Sequence, residues 1–438
     1  MTPAMDDRSG IRPCPSGMVA SRPGPRRAVL QDLRTRCFRN LADGQLSLPG
    51  DVPLRILVGA NGAGKTSVLE AISMFASGRG IRGARLSEIL RNGEDPQAGW
   101  TVSAIFRDRF AEERRVVVHA TAAGGNGEEL PDDEEEGGAA EQIRTGSSGE
   151  AEGKMRRQVL LDGRRRGPAA LAELVTVTWA SPAMDRLFVD GAGQRRRFFD
   201  RIVTSFYPEH VRLLGRHERA MRQRLRLLVQ AGSRADAHWL AALEARMAEA
   251  AVAIAAARVE TVELLNSHLR AHALDGFPLP RIALAGRVEE GLMTGRPALV
   301  LEEEIRTRLA ERREQDALEG RTGFGPHLTD FVVWGHFPDS SEERMARLAS
   351  TGEQKVLLLA LVVVHAELAV ERENRPVILL LDEVAAHLDA DRRARFFARL
   401  AEFPGEIWLA GTSAELFAPL EKSPDSLLLR IDEGRINH

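Results

Sequence analysis

Apolar and polar positions change rhythm several times along this chain. Between Ala28 and Leu48 the pattern around RTRCFRNL predicts strands, and Ile56–Val58 predicts a further strand entering a glycine-rich turn. A helix is expected from Ser67 to Ala76. Thr101–Arg107 and Arg114–Ala120 concentrate apolar and β-branched residues and read as paired strands, with ordered structure resuming at Gln158–Asp162. Pro208–Val229, Ala237–Ala273 and Pro297–Ala317 are rich in Ala, Leu, Arg and Glu at helical spacing. The last hundred residues alternate helix and strand. Among them Val377–Leu381 is an unbroken apolar strand of the kind buried on both faces of a parallel sheet.

Two segments break the pattern. Residues 1–26 hold several Pro, Gly and Arg but no apolar signal core, and read as a disordered tail with Met5 and Met18 as alternative starts. Residues 121–155 are Gly-, Glu- and Ser-rich with almost no bulky apolar side chains, and read as a disordered acidic insertion in a hairpin. This insertion changes the reading of the charge. The chain of 438 residues carries −3 overall, but residues 121–153 hold ten acids and one arginine, so the remainder is +6. A mildly basic folded part is compatible with a nucleic-acid partner. The length implies more than one lobe. The two cysteines, Cys14 and Cys37, match no zinc spacing and fit a reducing compartment. The longest apolar run, Val356–Val364, is too short to span a bilayer.

Gly59-Ala60-Asn61-Gly62-Ala63-Gly64-Lys65-Thr66 fits the phosphate-binding pattern GxxxxGK[ST] throughout. Its glycines let backbone N–H groups curl around phosphate oxygens, and the following helix adds its N-terminal dipole. Gly59, Asn61, Gly62, Gly64, Lys65, Thr66 and Ser67 are the candidate nucleotide-binding residues, with Lys65 reaching the β- and γ-phosphates of ATP. Thr66 and Asp382 are the candidate Mg²⁺ ligands, because the strand Val377–Leu381 runs into Asp382-Glu383. Glu383 is placed to polarise the attacking water, making it and Lys65 the catalytic candidates. About thirty residues upstream, Ser350-Thr351-Gly352-Glu353 has capping-box spacing, so a helix should begin there. The bland reading ends at that capped helix. The sharper one is that Ser350 and Gly352 present the helix N-terminus to a γ-phosphate held by another subunit. This segment resembles the signature motif of ABC-type ATPases, and Ala385–Asp389, ending in Asp389, resembles their D-loop.

The fold class is therefore α/β: a P-loop, ABC-type ATPase head with a mixed sheet flanked by helices and an inserted helical lobe. Residues 27–205 and 320–438 form the two parts of the head, and 206–319 the lobe. Lys65 and Asp382 stand 317 positions apart. That is far more than a transporter ATPase needs and too little for a long antiparallel coiled coil, as in SMC-like DNA-handling ATPases.

At this point the sequence resembles the RecF family of bacterial recombination mediators. The resemblance rests on FRNL (38–41), GANGAGKTSVLEAI (59–72), RGIRGARLSEILRNG (79–93), GQRRRFFDRI (193–202), HERAMRQR (217–224), GRTGFGPH (320–327), STGEQK (350–355) and LLLDEVAAHLD (379–389). It spans roughly residues 28–432. It implies a weak, DNA-stimulated ATPase used as a switch in the cytoplasm, with ATP and Mg²⁺ as cofactors. Two copies would sandwich two ATP molecules, pairing one subunit's Lys65 with the other's Ser350. The ATP-bound homodimer would recognise single-strand/double-strand DNA junctions and help RecO and RecR place RecA. Two positions depart from the family: Leu328 follows GPH where an arginine is frequent, and Ala410 stands where a polar switch residue is expected, with Thr412 as a substitute.

For DNA, Arg195-Arg196-Arg197 is a basic run, and Arg212, Arg216, Arg219, Arg222 and Arg226 share one helical stripe. Such a stripe suits a phosphate backbone without reading sequence. The alternative is a solvated face paired with Glu209 and Glu218. Aromatics are only 5% of the chain, which disfavours binding of single strands by stacking. Rival readings are a monomeric phosphotransferase, a membrane-partnered ATPase, and another SMC-like ATPase acting with a nuclease.

Overall fold

The computed structural model describes residues 29–122 and 155–437, with short breaks at 47, 49–50, 168, 338–341, 374 and 422. The expected tail 1–26 and nearly all of the acidic insertion lie outside the described residues. Thr121, Ala122 and Met155 at its margins instead belong to paired strands, Ala122 standing opposite Met155.

Six strands form the central sheet. Their spatial order is Arg435–Asn437, Ser426–Asp432, Leu54–Val58, Glu406–Gly411, Val377–Asp382 and Thr176–Ala180. All are parallel except the terminal hairpin. The apolar run from Val377 is continuous because both faces are covered. Ile378 and Leu380 face one core with the helix Lys65–Ser73, while Val377, Leu379 and Leu381 face another with the helix Thr351–Glu373. Val356–Val364 lies inside that second helix, fully buried, as its composition requires.

A second, antiparallel sheet runs Gly44–Leu46, Leu30–Arg36, Trp100–Arg107, Glu113–Ala122, Met155–Leu161, Arg164–Arg166. Trp100–Arg107 alternates buried and half-buried residues, so one face packs on the phosphate-loop helix. A buried carboxylate locks the two sheets together. Glu406 on the central sheet accepts from the Leu30 N–H (2.7 Å), the Trp408 indole (2.6 Å) and Arg55. Burial pushes its carboxyl up, opposed by the Arg55 charge.

The lobe is built on helices His210–Ala231, Ala237–Ala271 and Ala298–Glu311. It has its own core of residues such as Met221, Met247, Ala251, Ile305 and Leu309. The expected single helix 297–317 is two, Ala298–Glu311 and Arg313–Glu319. The turn at Arg312 brings the Asp316 carboxylate against the buried Arg224, 2.7 Å away. The phosphate-loop helix spans Lys65–Ser73 rather than 67–76, since Gly64 at its N-cap is left-handed (φ 116°) and the first turn starts immediately after it. A strand missing from the sequence reading, Leu279–Ala285, pairs with Asp330–His336 and ties the base of the lobe to the head.

Candidate nucleotide site

The loop between the strand Leu54–Val58 and the helix Lys65–Ser73 is held by its neighbours. Gly59 has no space for a side chain: a Cβ there would lie 2.3 Å from the Ile431 carbonyl oxygen. Gly62 (φ 83°) and Gly64 take backbone angles that L side chains rarely adopt. Asn40, from the FRNL motif, braces the loop from outside. Its amide donates to Gly62 O (2.7 Å) and its oxygen accepts from Ser67 Oγ (2.7 Å). Lys65 Nζ folds back to donate to Gly59 O (2.7 Å) and Ala60 O (2.9 Å), inside the turn where phosphates would bind.

Thr66 and Asp382, 316 positions apart in sequence, meet at 2.9 Å, the Thr66 hydroxyl donating to Asp382 Oδ2. The other oxygen, Oδ1, is buried without a partner. Burial, with the neighbouring Glu383 charge, pushes the Asp382 carboxyl up to about 6 against the Thr66 hydrogen bond. A buried carboxylate oxygen with nothing to accept from, beside a threonine hydroxyl, is the donor set a Mg²⁺ ion takes. Glu383 follows in a left-handed conformation (φ 55°), uncommon for a non-glycine residue, with its N–H donating to Ala410 O (3.0 Å). The strained backbone turns Glu383 out of the sheet and into the cleft wall.

That cleft, about 710 Å³, is lined by Asn61, Gly62, Gly64, Lys65, Thr66, Ser67 and Glu383, and by Arg39, Asn40, Arg82, Arg91 and Asn92. The last five were not singled out as site residues, although FRNL and RGIRGARLSEILRNG contain them. The buried Glu70 organises two of them: Arg39 grips it at 2.8 and 2.9 Å, and Arg82 approaches to 3.3 Å. Glu88 and Leu90 also line the cleft, so the rim around the phosphate loop carries three arginines and one further carboxylate.

Ser350, Gly352 and Asp389 are absent from this cleft. Ser350 heads the helix Thr351–Glu373 with the expected reciprocal capping: its N–H donates to Glu353 Oε2 (2.7 Å), and the Glu353 N–H donates weakly to Ser350 Oγ (3.3 Å). Ser350, Thr351 and Gly352 are exposed, and a Cβ on Gly352 would meet nothing within 4 Å. Asp389 caps the helix Ala390–Glu402 through the Arg392 N–H (2.8 Å) and is likewise exposed. Ala410 is buried beside Asp382 in register, while Thr412 is exposed.

Comparison with known proteins accords with this arrangement. The family model described as the RecF/RecN/SMC N terminal domain matches residues 29–406. The DNA replication and repair protein RecF of Caulobacter vibrioides is 38% identical over 400 residues, covering 90% of this chain and 94% of that protein. RecF of Mesorhizobium japonicum is 39% identical over 416 residues, covering 94% and 98%. The chain belongs to the RecF family. Its fold is that of a solved structure described as the recombination mediator protein RecF with ATP, at TM-score 0.73 and 18% identity, with 94% of this chain and 99% of that one covered.

Several RecF-family stretches have structural work in the fold. In GQRRRFFDRI, Arg195 is no open cation. It clamps Asp330 through two 2.8 Å bonds, and Arg196 donates to Thr329 O (2.8 Å), which corrects the reading of these two as open basic residues, while Arg197 is exposed. Asp200 accepts from His210 (2.9 Å) and from Arg258 (2.8 and 3.0 Å). Arg258 also reaches Glu289 (3.0 Å) and Pro326 O (2.8 Å) of the GPH turn. The Arg258 charge and the His210 hydrogen bond hold the Asp200 carboxyl well below the usual range despite burial. Arg224 of HERAMRQR is fully buried between Glu244 (3.0 Å) and Asp316. On the predicted stripe, Arg216 and Arg226 are exposed, Arg212, Arg219 and Arg222 are half-buried, and Arg212 pairs with Glu209 (2.7 Å). Leu328, in place of the frequent arginine, is about half exposed.

Proposed function

We propose that this chain is an ATP-gated DNA-binding protein of replication and recombinational repair, whose two copies close head to head over two ATP molecules. The observation that carries the reading is the separation of two half-sites. The cleft is lined by the phosphate loop and Glu383, with Asp382 buried behind it and joined through the Thr66 hydroxyl, while the capped, exposed Ser350-Thr351-Gly352 turn has no place in it. A helix N-terminus with small residues and open space in front of it suits a γ-phosphate on a second copy. Lys65 would exchange its two carbonyl contacts for phosphate oxygens. Thr66 and Asp382 would hold Mg²⁺, which neutralises phosphate charge when bound. Glu383 would accept the proton of the attacking water, and Asp389 would lie at the seam between the copies. Turnover would be slow and DNA-stimulated, serving to open the dimer.

The relatives are named as DNA replication and repair proteins, and the solved structure is described as part of the RecFOR pathway. In keeping with this, we assign the closed dimer to single-strand/double-strand junctions, with RecO and RecR as partners in placing RecA. The phosphate-facing surface would include Arg216 and Arg226. Among the described residues no helix is long and apolar enough to cross a membrane, and the reading places the protein on DNA in the cytoplasm.

The test is fluorescence anisotropy of a labelled gapped duplex with Glu383→Gln protein. Binding with Mg-ATP and none with Mg-ADP is expected. Equal binding with both nucleotides, or with neither, would overturn the gating. The family resemblance would then favour another SMC-like ATPase that acts with a partner such as a nuclease.

A further inference from the structure

The long lobe helix Ala237–Ala271 ends beside the far end of the signature helix Thr351–Glu373. His268 and His272 are one helical turn apart, and His272 closes the lobe helix by donating its N–H to His268 O (2.9 Å). Their rings stack with centroids 4.1 Å apart and planes inclined by 29°. Glu371, from the signature helix, completes a group in which one donor atom from each residue lies within 4.8 Å of the other two. Among the described residues this is the one such group of three.

Its hydrogen bonding is incomplete. His268 is buried, its Nε2 has no partner, and its Nδ1 stands 3.9 Å from Glu371 Oε2, beyond hydrogen-bond reach. The neighbouring cations already have carboxylates. Arg399 grips Glu367 at 2.7 and 2.8 Å, and Arg372 lies against Glu260 and Glu373. Arg399 also acts on Glu371 at longer range, and the ion pair of Glu371 among the described residues is with His268, which leaves its carboxylate facing two imidazoles. Histidines at i and i+4 with a carboxylate from a second helix are a donor set for a first-row divalent transition ion, with a fourth position open to water.

We propose that His268, His272 and Glu371 bind one such ion, of the Zn²⁺ class, which staples the end of the lobe helix to the signature helix. Donors around a single ion sit closer together than 4.8 Å, so side-chain rotation of the exposed Glu371 closes the site. The ion would lie about 30 Å along the signature helix from Ser350, at 1.5 Å per residue, and so would not touch nucleotide. It would instead fix how the lobe meets the helix that carries the signature.

The test is titration of the full chain with Co²⁺, and then Zn²⁺, in excess Mg²⁺, reading Co²⁺ absorption bands and the melting temperature. One equivalent with histidine-type bands and a raised Tm is expected. His272→Ala and Glu371→Gln, both at positions outside the buried core, should each weaken binding at least about 10-fold and abolish the Tm rise. Unchanged affinity in both variants would place the ion elsewhere and overturn the site. Absence of saturable binding would do the same. Binding without a rise in Tm would overturn the staple.

Discussion

A substitution at Gly352 can separate folding from the role proposed for this turn in a second subunit. Gly59 is required by its own chain, because any Cβ meets the Ile431 carbonyl at 2.3 Å, whereas Gly352 faces open space. Gly352→Glu should therefore fold with an unchanged Tm and bind ATP as a monomer. It should lose ATP-dependent dimerisation, measured by light scattering, because its carboxylate would oppose the partner's γ-phosphate. Dimerisation at wild-type strength would remove Gly352 from the composite site. Glu383→Gln should retain nucleotide and lower turnover by about 10²–10⁴-fold, the range for loss of a general base, as read by phosphate release. The phosphate-loop geometry was legible in sequence because it is local: eight consecutive positions, Gly59–Thr66, and one helix start. Arg39, Arg82 and Arg91 were not, since they reach the cleft from elsewhere in the chain and nothing in their own spacing points to phosphate.

At the scale of elements, buried polar contacts set how the lobe meets the head. Arg258 on the lobe helix joins Asp200 on the helix Ala192–Phe206, Glu289, and the GPH turn. Arg258→Met would leave two buried carboxylates without their cation, a loss of about 3–5 kcal/mol by analogy with broken buried ion pairs. Chemical denaturation should show that loss while ATP binding to the folded fraction persists. The signature helix is anchored by His365, whose ring nitrogens meet Thr178 Oγ1 (3.3 Å) and Ser205 Oγ (2.8 Å). Burial holds His365 down at about 3, so it is neutral when folded, whereas an unfolded histidine titrates near 6.5. The unfolded chain thus binds the extra proton between those values, and stability falls as pH drops below about 6.5, by up to about 1.4 kcal/mol per pH unit for this group. Buried carboxyls with raised values, such as Glu406, act in the opposite sense. The measurement is therefore the loss of stability from pH 7 to pH 5 in wild type minus the loss in His365→Gln, expected to be positive; equal slopes would exclude the histidine as a cause. Long helices were legible here because their periodicity runs for many turns. The strand Leu279–Ala285 was not: its seven residues gain meaning only from Asp330–His336, some fifty positions on. The break at Arg312 was hidden because Asp316 is needed inward by Arg224, a tertiary demand that local helix propensity does not register.

Over the whole molecule, the order of phosphate loop, signature, Asp-Glu strand and D-loop carried the architecture, because each motif closes a strand or opens a helix of one sheet. The charge distribution was equally legible, since it needs only counting, but its consequence depends on where the acids attach. They enter between Ala122 and Met155, which are directly paired, so replacing residues 123–154 by a short turn leaves the hairpin register intact. The deletion removes ten acids against one arginine and one lysine and moves the net charge from −3 to +5. If the acidic segment repels DNA through its charge, the deleted protein in its ATP-bound Glu383→Gln form should bind gapped duplex more tightly at 50 mM salt. The two proteins should converge as salt rises, because screening shortens to a few ångströms near 1 M. Equal affinity at low salt would mean that the segment's charge does not reach the DNA path. A gain that persists at high salt would point to steric exclusion instead. The salt series therefore separates a long-range electrostatic brake from a physical one, using a change at a hairpin tip that leaves the nucleotide cleft and the lobe core untouched.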